Sequence, residues 1–159
     1  MTTTVRFLQS LATTTRSYKR GDEVAGWDDT DAAALVGAGY AEKVIAPQIA
    51  LNPASVNASG NGSGVDFRYA GNSFQAVQQV GAVTGTDPTI TGKIQESDDN
   101  STWTDISGAA FTAVTASNAV ERISFTKAKR YLRHAYTVGG TSSPTFIIGA
   151  SFIPISSAL

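Results

Sequence analysis

The chain has no cysteine, one histidine and one methionine, and it carries few charges for its size. Each shortage removes a class of function. Without cysteine there is no disulfide framework, no thiolate metal site and no cysteine nucleophile. One histidine cannot build a His-rich metal cluster, and any serine–histidine hydrolase arrangement hangs on His134 alone. Charged residues make up 16% of the 159, against roughly 25% in an average soluble domain. Twelve basic and 13 acidic side chains leave a net charge of -1. Nucleic-acid binding needs a basic face, so no nucleic-acid partner is expected. No apolar run approaches the ~20 residues that a membrane span needs, so no membrane partner is expected either. The first six residues lack a basic stretch leading into an apolar core, and they do not read as a secretion signal.

What is present is small and polar. Serine and threonine together number 35, glycine 15, and the 42% hydrophobic share leans on alanine and valine. The composition changes near Pro47. Residues 1–46 read as a small α+β module of strand, turn, helix and strand. Val5 and Phe7 sit on a short extended run. Gly21-Asp22 supplies a turn, with the φ > 0 option and an Asx-type hydrogen bond. Asp28-Asp29-Thr30-Asp31 offers an N-cap and an acidic first turn. Ala32, Leu35 and Val36 give the apolar face at i, i+3 and i+4. Gly39 fits the position that closes a helix in a left-handed conformation. Tyr40 then begins a returning extended segment.

Residues 47–63 read as a linker, with Pro47, Asn52, Pro53, Asn57 and Gly60-Asn61-Gly62 as its turn residues and one short strand at most. Residues 64–159 read as β. Val65, Phe67 and Tyr69 alternate with Asp66 and Arg68. Tyr131, Arg133 and Ala135 alternate with Leu132, His134 and Tyr136. Turns are expected at Gly85-Thr86-Asp87-Pro88, at Asp98-Asp99-Asn100-Ser101 and at 139–144. That spacing, about 8–15 residues, is typical of an antiparallel β-sandwich or jelly roll.

The chemistry-bearing residues are sparse. His134 with Ser124 or Ser142 and an aspartate is the only conceivable triad. It lacks a Gly-x-Ser-x-Gly elbow and lies within a strand, so no catalytic residue and no enzyme activity are expected. Asp98, Asp99, Asn100 and Asp105 are oxygen donors of the kind calcium takes, but their spacing is not that of an EF-hand loop; they read as hairpin-turn residues, with no metal or cofactor. Arg20-Gly21-Asp22 reads as a turn rather than an adhesion tripeptide. Lys127, Lys129, Arg130 and Arg133 are the densest basic cluster. They form either a patch for an acidic partner surface or a solvated strand edge. Trp103, Tyr69, Phe74 and Tyr136 are the aromatics that would line a sugar-binding sandwich face, although a tryptophan just after a turn more often plugs a core.

Two stretches carry a resemblance. Val5-Arg6-Phe7-Leu8, Ser17-Tyr18-Lys19-Arg20-Gly21-Asp22-Glu23-Val24 and the Ala-rich run from Asp31 to Ala41-Glu42 resemble a short module of tailed-bacteriophage structural proteins. The run from Lys93-Ile94-Gln95-Glu96 through Trp103-Thr104-Asp105, with Arg130-Tyr131-Leu132-Arg133 and Thr137-Val138-Gly139-Gly140, resembles small virion proteins that decorate or cement phage heads. The resemblance implies a non-enzymatic virion component with a jelly-roll-like β-sandwich. It implies assembly in the host cytoplasm and a place on the outer capsid surface. The implied partners are the major capsid protein and other copies of the chain, as a homotrimer or else a dimer. The expected capsid or self-contact residues are Arg6, Phe7 and Tyr18 in the N-terminal arm and Lys127, Lys129, Arg130 and Arg133 in the sandwich. A tail or head–tail joining protein, and a carbohydrate-binding β-sandwich module, are the alternatives.

Overall fold

The computed structural model describes every residue except 1, 13–16, 29–30, 32–33, 36–37, 44–45, 69 and 156–159. The chain divides into two compact units, Met1–Ala46 and Pro47–Leu159.

In the first unit, β1 (Thr2–Phe7) runs into a small hairpin of β2 (Leu11–Ala12) and β3 (Ser17–Tyr18). Then β4 (Glu23–Asp28) and β5 (Ala41–Lys43) flank β1 as antiparallel partners. The alternation of β1 turns Val5 and Phe7 inward, at 0% and 1% exposure. Tyr18, Val24 and Leu35 pack around them. The turn after β3 forms as the sequence suggests: the Lys19 amide donates to Asp22 Oδ2 at 2.8 Å. Asp31, Ala34 and Leu35 are helical. The Ala38 amide bonds the Ala34 carbonyl, and the Tyr40 amide reaches back to Leu35 at 3.0 Å. With Gly39 at φ +74°, that six-residue closure is the glycine C-cap expected there. Asp29, Thr30, Ala32 and Val36 lie outside the described residues.

The second unit is an antiparallel β-sandwich. Its strands are β6 (Gln48–Val56), β7 (Gly60–Asn61), β8 (Val65–Asp66), β9 (Ser73–Ser97), β10 (Thr104–Ala110), β11 (Ala119–Thr126) and β12 (Tyr131–Pro154). The stretch 47–63, expected as a linker with one short strand, contributes β6 and β7 to the sheet. Pro53 is tolerated because β6, among the described residues, pairs on one side only, with β12.

Two long strands organise the unit. β9 and β12 pair from Tyr131↔Ser97 to Pro154↔Phe74, with irregular register between Gly139 and Ile148. The expected turns at 85–88 and 139–144 are therefore not reversals. They are facing bends in one continuous ladder, where Thr86 pairs with Thr141 and Thr84 with Thr145. Gly85 and Gly140 take φ of +103° and +117° there, and Asp87, Ser142 and Ser143 are also positive.

The bend folds the ladder onto itself. Gln78 and Ile94 are sixteen residues apart on β9, about 53 Å if the strand were straight. Yet Gln78 Oε1 lies 2.9 Å from the Nε2 of His134, the residue opposite Ile94. One layer is thus β11, the first half of β9, the second half of β12, and β6. The other is β10, the second half of β9, the first half of β12, and the short β7 and β8. Between them lie Val80, Ile90, Val114, Phe146 and Ile148 at one end. Phe67, Phe74 and Phe152 pack edge to face at the other, with centroids 4.7 and 5.8 Å apart. These pairings make the sandwich; they do not establish the jelly-roll winding expected with it.

Candidate functional site

Alternation on β12 buries Leu132 and His134 and turns Arg133 and Thr137 outward. On β9 the same rule buries Ile94 and leaves Lys93 and Gln95 on the outer surface. The register sets Gln95 opposite Arg133 and Lys93 opposite Ala135. β7 extends this surface, with Asn61 opposite Ala135 on the other edge of β12. The result is a shallow cleft of about 270 Å³, walled by Ser59, Asn61, Lys93, Gln95, Arg133 and Thr137.

Arg133 is held from two directions. Its guanidinium lies over the Trp103 ring at 4.4 Å, and its Nε donates to Gln95 Oε1 at 2.8 Å. Gln95 in turn donates to Asp105 Oδ1 at 2.6 Å, and Lys93 Nζ donates to Asp105 Oδ2 at 2.7 Å. These two hydrogen bonds, that of Lys93 first, hold the Asp105 carboxyl below its ordinary range. Asp105 itself is not one of the residues that wall the cleft.

The basic cluster expected at 127–133 does not converge. Lys127 is 6% exposed; its ammonium donates to the Lys129 carbonyl at 3.3 Å and stands 6.0 Å from the centre of the Phe74 ring. Burial lowers its pKa. Lys129 Nζ donates to Thr104 Oγ1, and its backbone amide donates to Glu96 Oε2. Arg130 pairs with both oxygens of Asp66 and lies over the Tyr131 ring. Hydrogen bonding from Arg130 keeps Asp66 more acidic than an ordinary carboxyl. Of the four, Arg133 is the one that lines the cleft. In the first unit Phe7 is buried and stacks on Tyr18 at 4.4 Å and 8°, while Arg6 pairs with Glu23.

The other chemical candidates have structural tasks. Asp99 closes its own turn, accepting from the amides of Ser101 and Thr102 and from the hydroxyls of Thr102 and Ser97. Those bonds lower its pKa. Among the described residues no group of three or more His, Asp or Glu side chains is placed to hold a metal ion. His134 is fully buried, and burial lowers its pKa to about 4. Its Nδ1 and the Gln78 Nε2 are buried without a hydrogen-bond partner among the described residues. Gly92 makes the room for this pair: a Cβ there would come within 1.9 Å of Gln78 Oε1 and 2.6 Å of His134 Nε2. Trp103, expected as a core plug, is half-buried at the surface with one face covered by Arg133. Tyr69 lies outside the described residues.

The sequence reading missed Lys93, Gln95, Ser59, Asn61 and Thr137. Lys93 and Gln95 share one strand face by alternation, but only register brings them beside Arg133.

The outer face of the opposite layer is different in kind. One cross-strand row runs Ile49, Ser151, Val77, Arg122, and the next holds Gly149, Gln79 and Val120. Ile49, Val120 and Ile147 are 62%, 56% and 46% exposed. A shallow apolar groove runs past Ile49, Leu51, Pro53 and Val77.

No family model matches the chain, and no curated protein matches it. Among solved structures, the PBSX exported protein XepA is similar, with a TM-score of 0.48 and 21% identity, over 87% of this chain and 43% of that one. The chain thus spans less than half the length of that protein.

Proposed function

We propose that the chain is a structural protein of a tailed-phage virion that decorates the head and cements it by bridging neighbouring major capsid subunits. The residues that resemble phage virion modules support the phage setting. The observation that carries the cementing role is the outer sandwich face on which Ile49, Val120 and Ile147 are exposed beside Ser151, Gly149 and Gln79, with Arg122 as the charged residue of those rows. On a monomer such a face is a liability, and against a shell or a second copy it is a contact surface. Two strands that run unbroken through both layers give that face a stiff backing. A protein placed on a symmetry axis recurs as a closed oligomer, and we propose a homotrimer.

The test uses heads of the phage that encodes the chain, prepared without it. Purified protein added to such heads is expected to co-sediment with them and to raise their heat resistance. Val120→Lys and Ile49→Lys, both at exposed positions, are expected to weaken that binding while leaving the fold intact. Protein that neither binds heads nor protects them sinks the proposal. Labelling confined to tails in electron micrographs would assign it to the tail instead.

A further inference from the structure

We propose that the cleft between β7, β9 and β12 is a binding site for a carboxylate-bearing sugar unit, a uronate, seated on the Arg133 guanidinium. This stands apart from the capsid role and concerns the opposite layer of the sandwich.

A guanidinium binds a carboxylate best when its fork is fixed beforehand, because two parallel N–H bonds then form with little further ordering. Trp103 fixes the plane of Arg133 and Gln95 fixes its Nε. Its two terminal nitrogens have no hydrogen-bond partner among the described residues. Burial works against its charge, with Asp105 as the opposing influence, so an incoming anion meets a partly desolvated cation. Lys93 adds a second cation to the wall and spends one of its three N–H donors on Asp105. No acidic side chain lines the cleft among the described residues.

The rest of the wall distinguishes a sugar from a simple anion. Ser59 Oγ accepts from the Val138 amide at 3.0 Å, which leaves its hydroxyl hydrogen free to donate outward. The Asn61 amide and Thr137 hydroxyl have no side-chain partner among the described residues. Asn61 lies across Ala135 from Lys93, and Thr137 stands two residues along β12 from that floor. A ligand that places a carboxylate on Arg133 and ring hydroxyls on Ser59, Asn61 and Thr137 satisfies both sides. An aspartate or glutamate side chain from a protein satisfies only the first. The volume, about 270 Å³, lies just below the usual range for small-molecule pockets, which suits one sugar unit rather than a chain of them.

The experiment is an NMR titration of the full chain, following backbone amides, with four probes: glucuronate, glucose, N-acetylaspartate amide and inorganic phosphate. Glucuronate is expected to shift Asn61, Lys93 and Thr137 saturably and to bind at least tenfold more tightly than the other three. Arg133→Gln is expected to weaken it at least tenfold. Should that variant lose its dispersed native spectrum, Lys93→Gln decides, with at least a threefold loss expected. Glucose binding as well as glucuronate overturns the carboxylate assignment. The aspartate amide or phosphate binding as tightly overturns the sugar assignment. Unchanged affinity in the folded variant, or no saturable shift at all, overturns the site.

Discussion

The two units solve the same problem with unequal means. The first has 46 residues and buries Val5 and Phe7 beneath Tyr18, Val24 and Leu35. The second interleaves aromatic and β-branched side chains between two layers, with Phe67, Phe74, Phe146 and Phe152 all at 0% exposure. Neither has a disulfide to stiffen it. At about 0.05–0.15 kcal/mol per residue, a 46-residue unit holds roughly 2–7 kcal/mol and a 113-residue one roughly 6–17. One large side chain is then most of the first reserve and a minor part of the second. Core size, more than any single contact, decides how each unit tolerates change.

The largest expected effect tests that contrast directly. Each unit contains one tryptophan, Trp27 and Trp103. Trp27→Phe and Trp103→Phe backgrounds therefore report each unit separately. Phe7→Ala removes about 3–5 kcal/mol and is expected to abolish the Trp27 unfolding transition altogether. Phe152→Ala, which strips contacts from Phe67 and Phe125, removes about as much. It is expected only to move the Trp103 transition to lower denaturant. Both signals moving together in either variant would mean that the units unfold as one, and the contrast would fall.

Acid gives the next largest effect, and only in the sandwich. His134 has an unfolded pKa near 6.5 and is lowered to about 4 by burial. Between those values the unfolded chain binds the extra proton and the folded chain does not. Stability is therefore full at pH 7 and falls as the pH drops from about 6.5 to 4, by about 3 kcal/mol in total. The Trp103 transition is expected to follow that slope, and the Trp27 transition to stay flat from pH 7 to 5, because the first unit has no histidine. His134→Leu removes the slope if this single group causes it. A slope that survives the substitution overturns the assignment.

The ladder bend comes third. Gly140 holds φ +117°, and a Cβ there would stand 2.7 Å from the Asp87 carbonyl oxygen. Gly140→Ala is expected to cost about 2 kcal/mol, through backbone strain plus that contact. The loss should appear in the Trp103 transition alone. A neutral result would mean that the bend relaxes and does not hold the two layers in register.

These same positions mark where the sequence could be read and where it could not. The Lys19–Asp22 turn, the Gly39 cap and the alternation at 131–136 were legible because each rests on residues a few places apart. The bends at 85–88 and 139–144 were not. Glycine, aspartate and serine at positive φ serve a hairpin reversal and a kink equally well. Only the partner strand, kinked at the same height, tells them apart. Lys127 was misleading for a related reason. Its charge marks it as surface, but its aliphatic stem is buried and its ammonium reaches back to a carbonyl. The cleft was half legible. Arg133 stood out in the basic cluster, whereas Lys93 and Asn61 join it through a register fixed by pairings 30 or more residues apart in sequence.

The smallest effect asks whether surface charge matters equally to both units. Arg6 pairs with Glu23 in the first and Arg130 with Asp66 in the second, and the side chains are similarly exposed, at 34% and 46% against 34% and 42%. Such pairs contribute about 0.5 kcal/mol each. Glu23→Gln and Asp66→Asn are therefore expected to cost similar absolute amounts, and 1 M salt to erase most of both. The consequence differs. In a unit holding a few kcal/mol that loss raises the unfolded fraction at equilibrium by about twofold from a level already measurable by proteolysis at the first unit's loops. In the sandwich the same twofold acts on a population too small to matter. Asp66 adds a pH signature. Its lowered pKa means that its contribution is present above the ordinary carboxyl range and disappears as the pH falls through the lowered value. Equal proteolysis rates for the two variants would show that the first unit is as robust as the second, and that core size is not what separates them.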